Sequence, residues 1–79
     1  MIFDGIEWDE NNLDHACRRV TATEIEQVIA NATMYRRHQR HPDRVLFTDR
    51  TDGGKCVTVV ARYDHACHLI RPITAWEES

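Results

Sequence analysis

The stretch that most constrains this chain is Lys-Cys-Val-Thr-Val-Val-Ala-Arg, residues 55–62, preceded by Asp52-Gly53-Gly54. The run is short, bounded by charge and β-branched through its middle, with no polar positions at helical spacing. Those properties specify a strand in the interior of a sheet. Side chains alternate across a strand, so Val57, Val59 and Ala61 share one face and Cys56, Thr58, Val60 and Arg62 the other. Both sets are largely apolar, which calls for cover on both faces or neighbours on both edges. The Thr58 face is the more polar, and it is the face expected to meet a ligand. The Asp-Gly-Gly turn signal then folds residues 44–50 back against 55–62 as an antiparallel hairpin.

Three more segments read as strands: Ile2 to Trp8, Met34 to His38, and Cys67 to Ile73. Pro72 has no amide donor, so that end belongs at a sheet edge or a bulge. Between the first two lie two short amphipathic helices. Asp9 or Asn11 is placed to cap the first, whose apolar stripe is Leu13, Ala16, Cys17 and Val20. Arg18 and Arg19 then fall at its C-terminal end, where the helix dipole favours cations. Thr21-Ala22-Thr23-Glu24 matches a capping box, followed by the stripe Ile25, Val28, Ile29 and Ala32, with Asn31 as a stop. Neither helix is long enough to stand alone. The expected architecture is α+β, in the order β-α-α-β-β-β-β, with both helices on one face of a mostly antiparallel sheet.

With 79 residues this is a single domain over 1–79 that buries about two-thirds of its unfolded surface. Hydrophobic residues at 42% and charged residues at 29% describe a globular domain rather than a disordered tail. No apolar run reaches the roughly 18 residues of a membrane span, and the acidic opening is unlike a signal peptide. Three cysteines, an odd number, point to free and mostly buried thiols in a reducing cytoplasm. Asp14-His15-Ala16-Cys17 recurs as Asp64-His65-Ala66-Cys67-His68, but the spacing does not suit a zinc site, and no metal or other cofactor is expected.

The net charge of −3 hides an asymmetry: residues 1–35 balance at −5, residues 36–50 at +3, and residues 51–79 at −1. The middle block carries Arg36, Arg37, Arg40, Arg44 and Arg50 with His38 and His41, either a solvated edge or a basic patch.

Ile6-Glu7-Trp8-Asp9-Glu10-Asn11-Asn12-Leu13-Asp14-His15, with Val20-Thr21 and Glu24-Ile25-Glu26-Gln27-Val28-Ile29, resembles the opening of BrnT-type toxins. These belong to the RelE/ParE superfamily of toxin–antitoxin ribonucleases. Arg71-Pro72-Ile73-Thr74-Ala75-Trp76 resembles the family's Arg-x-Ile-Ser-Ala-Arg, with Trp76 where the family has its last arginine. The resemblance implies a RelE-like fold and a cytoplasmic, metal-independent endoribonuclease whose partners are an RNA substrate and a neutralising antitoxin.

Attack of a 2′-hydroxyl on the adjacent phosphorus needs a base, an acid, and cations on the developing negative charge. Arginine grips phosphate bidentately and stays charged, and histidine exchanges protons near neutral pH. Arg71, matching the family motif, and Arg62, from strand parity, are the candidate catalytic cations. His38, His41, His65 and His68 are possible proton carriers, with Tyr63 beside them; His68 and Tyr63 are taken with the two arginines as the catalytic set. Arg36, Arg37, His38, Arg40, Arg44 and Arg50 are the candidate RNA-binding residues. His15 is expected to bond a neighbouring backbone, and Trp8, Phe47 and Trp76 to serve as core or interface aromatics. The alternative is a non-catalytic interaction module on the same fold, docking a protein partner or a second copy along the strand edge near Pro72 and Trp76.

Overall fold

The computed structural model describes residues 4–32 and 34–78. It is an α+β domain with the elements β1 (Gly5–Ile6), α1 (Glu10–Ala16), α2 (Ala22–Asn31), β2 (Arg36–Arg37), β3 (Arg44–Arg50), β4 (Cys56–Asp64) and β5 (Leu69–Glu77). The five strands form one mixed sheet in the order β1-β5-β4-β3-β2. Among the described residues only β1 runs parallel to its neighbour, β5; the other pairings are antiparallel. No helix among the described residues is long and apolar enough to cross a membrane.

The expected antiparallel β3–β4 hairpin is present, with Arg44 opposite Arg62 through to Arg50 opposite Cys56. Gly54 closes its turn at φ 89, a conformation that glycine adopts without a Cβ penalty. Strand β4 runs on to Asp64, past the end expected for it. Strand β5 begins at Leu69 rather than Cys67 and extends to Glu77. Pro72 lies beside a bulge: Ala61 pairs with Pro72 and Val60 with Thr74, so Ile73 is the extra residue. Of the strand expected at Ile2 to Trp8, the first two residues fall outside the described ones, and β1 holds only Gly5 and Ile6.

Both helices pack on one side of the sheet, called here the helix face. Ile25, Val28 and Ile29 of α2 meet Val45, Phe47, Val57, Val59 and Ala61, with Ala16, Val20, Ile70 and Ala75 completing the core. Thr21 accepts from the Glu24 amide while Glu24 accepts from the Thr21 amide, the capping box expected of that stretch.

Helix α1 departs from its expected stripe. It ends at Ala16, leaving Arg18 and Arg19 in the turn beyond it, and Leu13 is 41% exposed. Its buried residues are Asn12 and Ala16. Asn12 is held by polar bonds: its Oδ1 accepts from the Asp9 amide at 2.7 Å, and its Nδ2 donates to the Glu7 carbonyl at 2.9 Å. Asp9 returns the favour as N-cap, accepting from the Asn12 amide. The thiols also differ from expectation, since Cys67 is exposed in the β4–β5 turn and Cys17 and Cys56 are half-buried.

Candidate nucleic-acid interface

Opposite the helices lies the open face, carrying the even-numbered side chains of β3 and β4. Cross-strand partners share a face, so three rows can be read across the sheet. Arg44, Arg62 and Arg71 form the first, adjacent on β3, β4 and β5. Arg36, Leu46, Val60 and Thr74 form the second, and Thr48, Thr58 and Trp76 the third.

Like charges opposite one another repel, and the arginine row is accompanied by carboxylates. Arg71 is the most engaged: Nη1 donates to Glu7 Oε1 at 3.1 Å and Nη2 to Asp9 Oδ2. The Asp9 carboxyl is held below its ordinary value first by the Asn12 amide and then by Arg71, and the Arg71 guanidinium is held above its own chiefly by Asp9. This pairing fastens the start of α1 to β5. Arg62 Nε faces Asp43 at 3.6 Å with both side chains largely exposed, a contact of little energetic weight. Arg44 Nε is buried without a hydrogen-bond partner among the described residues. A buried donor without an acceptor is uncommon in a folded protein.

The remaining arginines divide. Arg36, Arg37, His38 and Arg40 gather with Leu46 around a concavity of about 320 Å³. There His38 Nδ1 accepts from the amides of Arg40 and His41 at 3.1 and 3.2 Å, so in the neutral ring the proton sits on Nε2. Arg37 pairs with Val45 and so takes the helix-face parity, away from Arg36. Arg50 lies at the far end of β3, its Nη1 donating to the Gly54 carbonyl at 3.2 Å.

The candidate catalytic set is divided too. Arg62 and Arg71 are cross-strand partners on the open face, whereas Tyr63 pairs with Ile70 on the helix face. Tyr63 stacks on His65 with ring centroids 4.6 Å apart, and its hydroxyl lies 3.4 Å from His68 Nδ1. His68 occupies the turn at φ 56, a left-handed conformation in which histidine is over-represented. Proton carriers and cations thus stand at the same end of the sheet on opposite parities. His15, expected to bond a backbone group, is exposed and lines a groove of about 360 Å³ with Arg71 and Thr74. Phe47 is in the core and Trp8 packs against it, while Trp76 is on the open face.

Sequence reasoning missed the counter-ions Glu7 and Asp9, because their approach to Arg71 depends on the β1–β5 pairing, which has no local signal. It also missed Thr48 and Glu78. Thr48 was within reach, since the hairpin register sets it opposite Thr58. Comparisons with protein-family models, curated proteins and solved structures find no match for this chain.

Proposed function

We propose that this chain is a BrnT-like toxin of the RelE/ParE superfamily, a cytoplasmic, metal-independent endoribonuclease neutralised by an antitoxin, with RNA lying along the open sheet face. The observation that carries the reading is the register of Arg44, Arg62 and Arg71, three guanidiniums side by side on adjacent strands, one with an uncommitted buried donor. Such a row suits the paired oxygens of a phosphodiester. In this reading Arg62 and Arg44 hold the phosphate, Arg71 keeps α1 in place while lending charge, and His68 with Tyr63 handles protons from around the sheet end.

The test is cleavage of RNA by the purified protein in the presence of a chelator, together with growth arrest on expression in bacteria. Arg44→Ala and Arg62→Ala should abolish both while leaving the fold intact by circular dichroism. Folded wild-type protein that neither cuts RNA nor arrests growth refutes the ribonuclease.

The second reading, a non-catalytic interaction module, is favoured by two observations: Arg71 is engaged by Glu7 and Asp9, and Tyr63 and Arg62 take opposite faces. RNA binding without cleavage, or none alongside a stable complex with a protein partner or a second copy, selects it.

A further inference from the structure

At the other end of the open face a carboxylate occupies a set of donors that suit a phosphate. Thr58 is 1% exposed although neither α1 nor α2 covers its face. Its Oγ1 donates to Glu78 Oε1 at 2.6 Å, and Trp76 Nε1 donates to the same oxygen at 2.9 Å. A hydroxyl has one proton, so Thr58 gives its proton to Glu78 and must accept from Thr48, whose Oγ1 is 2.9 Å away. The chain of donors is therefore polarised toward Glu78. The positive charge of Arg36 reaches the same carboxylate, which the Thr58 bond foremost, then Trp76, holds below its ordinary value. Two preset donors converging on one anionic oxygen are what a phosphate oxygen requires, and Arg36, in the adjacent row, adds positive charge nearby.

We propose that Thr58 and Trp76 form an oxyanion subsite for a phosphate of single-stranded RNA, filled in the free protein by the chain's own Glu78. The proposal rests on the RNA reading of this face. Thr58 and Arg62 are four residues apart on β4, about 13 Å at 3.3 Å per residue. An RNA strand gripped by the arginine row reaches the subsite by crossing Leu46, Val60 and Thr74, a mostly apolar strip on which a base can lie. Glu78 competes with that phosphate and must swing out, so the free protein holds its own face in a weakened state.

The experiment measures binding of a short single-stranded oligoribonucleotide, and separately of inorganic phosphate, to wild type, Glu78→Gln, Glu77→Gln and Glu78→Gln/Thr58→Val, with the Trp76 indole N–H followed by NMR. Glu77 pairs with Val57 on the other face, so Glu77→Gln makes the same charge change away from the subsite. Glu78→Gln should tighten oligoribonucleotide binding on the order of tenfold, Glu77→Gln much less, and Thr58→Val should cancel the gain. Equal gains from Glu77→Gln and Glu78→Gln, or none from either with both ligands, overturn the subsite. If Glu78→Gln binds inorganic phosphate with a Trp76 shift but no variant binds RNA, the oxyanion site stands and the RNA reading fails.

Discussion

Asn12 and Leu13 offer a direct contest between apolar periodicity and the packing found here. Periodicity makes Leu13 the core residue of α1, yet Leu13 is 41% exposed and Asn12 only 5%. Asn12→Ala removes the acceptor of the Asp9 amide and the donor to the Glu7 carbonyl. Two such bonds contribute about 2 kcal/mol, and the better helix propensity of alanine offsets about 0.5 kcal/mol of that. The net loss of about 1.5 kcal/mol lowers Tm by roughly 6–12 °C in a domain of this size. Asn12→Leu should be as damaging, because added apolar surface does not satisfy the two stranded backbone groups. Leu13→Ala, at a half-exposed site, should cost less than about 1 kcal/mol. Thermal unfolding followed by circular dichroism measures all three. If Leu13→Ala proves costlier than Asn12→Ala, or Asn12→Leu is neutral, the polar anchoring of α1 is wrong.

Gly54→Ala should destabilise by about 1 kcal/mol or more, because φ 89 is strained for any residue with a Cβ. Gly53→Ala, where a Cβ meets only Thr51 Oγ1 at 3.8 Å, should stay within about 0.5 kcal/mol in urea melts, and a reversed order contradicts the turn geometry. Asp9, Glu24 and Glu78 all titrate below their ordinary values, held first by the amides of Asn12 and Thr21 and by the Thr58 hydroxyl respectively. Their stabilisation is complete above those ordinary values, 3.8 for Asp9 and 4.5 for both glutamates, and is lost as pH falls through the depressed folded values. The urea midpoint should therefore hold steady down to about pH 5 and fall as the pH drops further, and a profile that stays flat below about pH 4 argues against these bonds. Cys67 is exposed while burial pushes the Cys17 thiol up, so a thiol reagent at neutral pH should label Cys67 first; mass spectrometry reads the order.

What could be read from the sequence was what is written locally. The Thr21–Glu24 box and the Asp-Gly-Gly turn each specify their element within a few residues, and α2 and the β3–β4 hairpin sit where those signals put them. The pairing of Arg44 with Arg62 follows from the register that this hairpin takes. What stayed hidden depends on distant partners. Asn12 looks like a surface residue until the Glu7 carbonyl and Asp9 amide are beside it. The bulge at Ile73 lets β5 continue through Pro72, so the strand outruns its apolar core. Alternation along β4 sets Arg62 and Tyr63 back to back, so these two candidate catalytic residues are separated by the sequence itself. The carboxylates on Arg71 and the Glu78 carboxylate at Thr58 come from segments 62 or more, and 20, residues away.

The parallel seam between β1 and β5 has a consequence for the order of assembly. Glu7 and Asp9 precede Arg71 by 64 and 62 residues. During synthesis β1 and α1 emerge early but have no dock until β5 has been made and zipped onto β4. Closing so large a loop comes late and slowly compared with the hairpin. A ribosome that stalls before β5 therefore leaves a nascent chain whose first helix has nowhere to settle, with the uncapped edge of β4 open to chance pairing.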